Sequence, residues 1–162
     1  MTVRFLAVGY ASLALGLAGC GGSDSPSFSA ESQSAIQRIQ KICTDTSAKI
    51  DDVQGDFPVS GFDPKDPDPA YLPAVGNYFA VAHPYWDDAL AQARDIEVPN
   101  EIAAKVDALL TAVANDLAVA RSQTVAARAS DVAAFKATLP KVDASQAAVK
   151  EAGEELGLSC EY

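Results

Sequence analysis

The chain has 162 residues, with 22 Asp and Glu against 12 Lys and Arg and a formal net charge of −10. A surface this negative repels phosphates and anionic headgroups, which argues against nucleic acid as a partner. The length suits one domain with one core, and apolar residues do not alternate with period two, so the expected class is all-α.

At the amino terminus an apolar run extends from Phe5 to Leu17, behind a short region whose one basic side chain is Arg4. It is shorter than the roughly 18 to 20 residues that span a bilayer, and small residues crowd its end as at a signal-peptide cleavage site. No twin-arginine pair precedes it, so the general secretory route is expected. The run closes on Leu17-Ala18-Gly19-Cys20, which resembles the lipobox of bacterial lipoproteins. The resemblance implies that residues 1–19 are removed as a signal peptide and that the Cys20 sulfur carries a diacylglyceryl group. At least two acyl chains of the palmitate kind then hold the protein at the cell membrane, on its extracytoplasmic face, and two chains suffice for stable anchoring. Gly21 rather than Asp follows the cysteine, so the inner-membrane retention signal of Gram-negative lipoproteins is missing.

Residues 21–27, Gly-Gly-Ser-Asp-Ser-Pro-Ser, offer no side chain able to join a core. Residues 20–28 therefore read as lipidated cysteine and flexible tether, and 29–162 as a helical domain. Ser29 is a good N-cap, and Ile36, Ile39, Cys43, Thr46, Ile50 and Val53 follow at spacings of three and four, which predicts a first helix ending near Gly55. Residues 55–69 hold Pro58, Pro64, Pro67 and Pro69 with Gly55 and Gly61, which forbids a regular helix and predicts a long crossover. Phe57, Val59 and Phe62 are the side chains able to pin it across the domain.

The helical period returns from Ala70, with Val75, Phe79, Ala82, Trp86, Ala89 and Ala93 inward. Pro84 predicts a kink or break near 80–84. A third helix is expected to begin at Pro99, with Glu101 in its first turn facing the helix dipole, and to run to about Ala127 behind Ile102, Val106, Leu109, Val113, Leu117 and Ala120. Ser130 is expected to cap a fourth helix on Val132, Phe135, Leu139, Val142, Val149 and Leu156, with a second kink at Pro140. The expected architecture is a four-helix antiparallel bundle with a long Pro/Asp-rich loop between its first two helices; a three-helix bundle with a separate helical hairpin is the alternative. The tail Ala152-Gly153-Glu154-Glu155-Leu156-Gly157-Leu158-Ser159-Cys160 resembles the ends of small alanine-rich helical lipoproteins of actinobacteria, a group with no assigned activity. That resemblance implies fold and location alone.

Beyond Cys20 two cysteines remain, Cys43 and Cys160. In an oxidising compartment the expectation is one disulfide between them, closing a loop for which the chain-entropy model gives about 5 kcal/mol at most. Two unpaired thiols are the alternative. Chemistry is otherwise sparse. The single histidine, His83, and the single methionine, Met1, rule out His/Met or bis-His haem ligation within the mature chain and a di-iron site built on two Glu-x-x-His motifs. No Gly-x-Ser-x-Gly nucleophile elbow occurs, so a non-catalytic protein without cofactor or metal is expected. The strongest positive candidate is the ring cluster Tyr71, Tyr78, Phe79, His83, Tyr85 and Trp86, able to line a ligand patch beside Pro84, although aromatics at helical spacing also serve as ordinary packing. The loop carboxylates Asp56, Asp63, Asp66 and Asp68 leave calcium open, in a spacing unlike an EF-hand. The functional expectation is a lipid-anchored binding or accessory protein of the cell envelope that meets an envelope protein partner, with a small-ligand carrier or sensor as the alternative.

Overall fold

The computed structural model describes residues 28–59 and 61–158, so the signal segment, Cys20, the tether 21–27 and Cys160 lie outside the described residues. Four helices follow in chain order, α1 (Ala30–Gln54), α2 (Leu72–Arg94), α3 (Ala103–Arg128) and α4 (Val132–Glu154), with no strand among the described residues. The α3 helix packs along both α2 and α4, and α1 packs along α2. Gly76, early in α2, lies against Ala127 and Arg128 at the end of α3. Phe135, early in α4, shares a core with Ala126 and Ala127, and Phe57, just past α1, touches Tyr78 near the start of α2. Sequential neighbours therefore run antiparallel, as expected of this bundle.

The apolar interior falls into two clusters, one towards each end. The first joins Ala35 and Ile39 of α1 to Ile96, Ile102, Val106, Leu109 and Ala112, and closes on Val149, Leu156 and Leu158. The second joins Val59 and Phe62 of the crossover to Leu72, Val75, Ala126, Ala127 and Phe135. Phe62 meets Phe135 edge-on with centroids 5.7 Å apart, so the crossover is pinned by the residues its sequence offers for that purpose. Asp63 and Asp68 shape it further, accepting from the Lys65 and Ala70 backbone N–H groups at 2.9 and 2.8 Å.

Helix termini account for most departures from expectation. Ser29 caps α1 as predicted, its hydroxyl accepting from the Ser32 N–H at 3.2 Å. The third helix starts at Ala103 rather than Pro99, because the Ile102 N–H closes a turn on the Pro99 carbonyl. Glu101 is thus outside its own helix, and its carboxylate reaches α1, accepting from the Ser29 N–H at 3.3 Å and the Ser32 hydroxyl at 2.6 Å. A carboxylate there meets the positive end of the α1 dipole. Lys105 works at the same end, its ammonium 5.5 Å from the Phe28 ring centroid and within 3.3 Å of the Glu155 carbonyl just past α4.

Ser130 does not cap α4. It sits at φ 54°, with its N–H on the Ala127 carbonyl and the Asp131 N–H on that of Ala126, so it is the left-handed residue that ends α3. Asp131 is the cap, accepting from the Ala134 N–H at 2.9 Å. After α4 the same device recurs with Gly157 at φ 70° and the Leu158 N–H bonded to the Gly153 carbonyl. Neither proline breaks its helix: α2 runs through Pro84 and α4 through Pro140. Both prolines are exposed, so the carbonyls they leave without an amide donor, on Ala80 and Lys136, lie towards the water side of their helices. No helix of the described residues is long and apolar enough to cross a membrane.

Candidate binding site

The α2 helix carries the ring cluster because its sequence places large side chains along the arc between its two neighbours. Val75, Ala82, Ala89 and Ala93 on that arc are buried, and Trp86 shares it but is half-buried. Three rings of the expected cluster come together. Tyr78 and Phe79 have centroids 5.5 Å apart, and Phe79 and His83 are stacked at 6.3 Å with planes 2° from parallel. Phe57 extends the run from the crossover, edge-on to Tyr78 at 5.9 Å. Tyr78 and Phe79 also pack against the second apolar cluster. Tyr71 ends up outside this run, 47% exposed at the N-cap of α2, and Tyr85 is half-buried a turn beyond Val81.

At the α2–α3 seam the rings give way to polar groups. His83 Nε2 lies 3.5 Å from Thr124 Oγ1, and the same hydroxyl donates to the Ala120 carbonyl at 2.8 Å. Its proton is therefore committed to Ala120, and a lone pair faces the imidazole, which favours the tautomer protonated at Nε2. Burial lowers the His83 pKa below its ordinary value of 6.5, the Arg121 guanidinium lowers it further, and Asp87 works the other way. Arg121 and Asp87 themselves form an ion pair across the seam, both about half exposed. Burial and, second, the Asp51 carboxylate push the Tyr78 hydroxyl above its usual pKa. The site at neutral pH is a row of neutral rings ending on a polar seam, able to stack on a planar or apolar group and to offer one imidazole N–H.

Sequence reasoning missed Phe57, Asp87, Arg121 and Thr124 as members of this row. No local signal marks them, since each comes from another element or from the polar side of α2. Thr124, like Gln123 and Thr46, is a polar residue that the fold buries.

Cys43 is buried on α1 and is not an unpartnered thiol. Among the described residues no group of three or more His, Cys, Asp or Glu side chains is gathered closely enough to hold a metal ion. Asp63 and Asp68 shape turns instead, and Asp66 lies 3.5 Å from the Lys136 ammonium. Compared with protein-family models, with curated proteins and with solved structures, the chain matches none.

Proposed function

We propose that the protein is a lipid-anchored extracytoplasmic helical bundle with a non-catalytic binding or accessory role in the cell envelope. The observation that carries the reading is Leu17-Ala18-Gly19-Cys20, followed by a tether without apolar side chains. A chain of seven residues spans at most about 25 Å, so an anchor at Cys20 would keep the bundle within one domain diameter of the membrane and raise its effective concentration for a membrane-bound partner. The tether enters at Phe28, the end where Glu101 and Lys105 secure α1. The crossover 55–71 stands at the opposite end of the bundle.

The Cys43–Cys160 disulfide belongs to the same proposal. Leu156 and Leu158 pack in one cluster with Ile39 and Ile42, one turn or less from Cys43. Cys160 follows two residues later, a reach of about 7 Å. A bridge there would fasten the end of the chain to α1.

The ring row supports a second reading, a small-ligand carrier or sensor, because Trp86 is only half-buried on an inward arc. Intact mass spectrometry of protein purified from its own membranes, with and without reduction and alkylation, tests the anchor and the bridge together. The expected result is an acyl adduct on Cys20 and two thiols released by reduction; an unmodified Cys20 overturns the anchor. Native mass spectrometry of the same sample separates the two roles. A co-purifying small mass, with a change in Trp86 fluorescence on its removal, favours the carrier, and its absence directs the search to crosslinked envelope proteins.

A further inference from the structure

The four helices are not held equally along their length. On α4 the buried residues are Phe135, Val149 and Gly153, so nothing from 136 to 148 is fully buried. Thr138, Leu139, Val142 and Ser145 are half-buried there, Leu139 against the edge of the Phe135 cluster, and the other residues are exposed. Phe135 belongs to one apolar cluster and Val149 to the other. The helix is therefore anchored at both ends by cores that do not meet beneath its middle.

The middle is also weakened from within. Pro140 removes one backbone hydrogen bond from the centre of this stretch. Alanines at 137, 144, 147 and 148 contribute little apolar area to hold it down. Its polar ties are few: the Ser145 hydroxyl donates to the Asp116 carboxylate of α3 at 2.5 Å, and Lys136 at its start lies 3.5 Å from Asp66 of the crossover. Contacts at 135 with 126 and 127, and at 145 with 116, set Pro140 level with Arg121. Arg121 pairs with Asp87, three residues past Pro84 of α2. Both proline-bearing helices thus lose a backbone bond near one level of the bundle. There α3 has Ser122 and Thr124 bonding back to the carbonyls of Ala118 and Ala120, a pattern that loosens helices.

We propose that residues 136–148 form a strap that lifts from α3 as a local unit, Leu139 leaving the edge of the second cluster, while the buried residues of both cores stay folded. Few buried apolar contacts between two well-buried anchors is the condition for sub-global opening. Opening there bares the α4-facing side of α3 around Asp116 without unfolding either cluster. The inference does not depend on the lipid anchor or on a ligand.

Native-state hydrogen exchange of the full chain, read by mass spectrometry, tests it. Amides of 137–148 are expected to exchange at least about tenfold faster than those of α3 between 106 and 127. Pro140→Ala, which restores a donor for the Lys136 carbonyl, is expected to slow exchange across 136–148 by about tenfold and to leave α3 unchanged. Ser145→Ala is expected to speed it over the same residues alone. Exchange of 137–148 as slow as that of α3, or a Pro140→Ala variant with the same exchange there as the parent, overturns the proposal.

Discussion

The Glu101 carboxylate accepts a 2.6 Å hydrogen bond from Ser32, a side chain with no solvent exposure that lies 69 positions earlier in the chain. Hydrogen bonds from Ser32 and then Ser29 hold the Glu101 pKa below the ordinary glutamate value. A carboxylate whose pKa is lowered by folding contributes stability that is complete above its unfolded value, about 4.3, and is lost as the pH falls towards the folded one. Acid should therefore loosen the start of α1. Urea midpoints measured from pH 5 to pH 3 are expected to fall less steeply for Glu101→Gln than for the parent; equal slopes would remove Glu101 from this role.

The junction of α3 and α4 gives a test in which two adjacent residues respond oppositely. Ser130 occupies a left-handed conformation that costs a non-glycine residue about 1 kcal/mol or more. Ser130→Gly is expected to stabilise the domain by up to about 1 kcal/mol, net of the greater freedom glycine gains when unfolded. Asp131→Ala removes the cap of α4 and is expected to cost about 1 kcal/mol. Were Ser130 the cap, as its sequence position suggests, thermal melts would show the reverse order.

That junction also marks where the sequence stops being legible. Serine and aspartate are both good caps, so Ser130-Asp131 fits either register until the 6→1 bond from Asp131 to Ala126 decides it. The helical stripes were readable because burial repeats every three to four residues: Ile39, Cys43, Thr46 and Ile50 all turn inward. Phe62 and Val59 were readable as pins because the loop offers few other apolar side chains. No break follows from either proline, since Pro84 and Pro140 both face water and their helices continue on either side. Of the ring cluster, Tyr78, Phe79 and His83 lie side by side in the fold, while Tyr71 spends its position on the N-cap. Glu101 was visible as an acidic residue near a helix start, but the helix it serves is α1, and no local pattern carries that information.

His83 should report on the α2–α3 seam at a pH where Glu101 is silent. Its pKa is lowered in the fold, chiefly by burial and then by Arg121, so the unfolded chain takes up its proton first as acid is added. The sign follows: stability is complete above about 6.5 and declines as the pH drops through the folded value. His83→Gln keeps an N–H near Thr124 and removes the titration. Midpoints compared between pH 7.5 and pH 5 are expected to converge for the variant and to diverge for the parent, and an identical decline in both would assign the effect to another group.

Close approach of α2 to α3 rests on Gly76. A Cβ at that position would stand 2.6 Å from Arg128 Cγ and 2.7 Å from the Arg128 backbone nitrogen. The side chain can move aside, but the backbone atom belongs to the last turn of α3, so the two helices must separate. Separation there pulls Ala127 away from Leu72 and Val75 in the second core, where the cost of overpacking is typically about 1 to 3 kcal/mol. Gly55 supplies the comparison: it follows α1 at φ −60°, and a Cβ there meets only the Asp52 carbonyl at 3.4 Å. Gly55→Ala is expected to be neutral or slightly stabilising, because alanine has less freedom to lose on folding. Denaturant unfolding of both variants separates the two effects. A Gly76→Ala protein as stable as Gly55→Ala would mean that the α2–α3 seam has room that this packing does not allow.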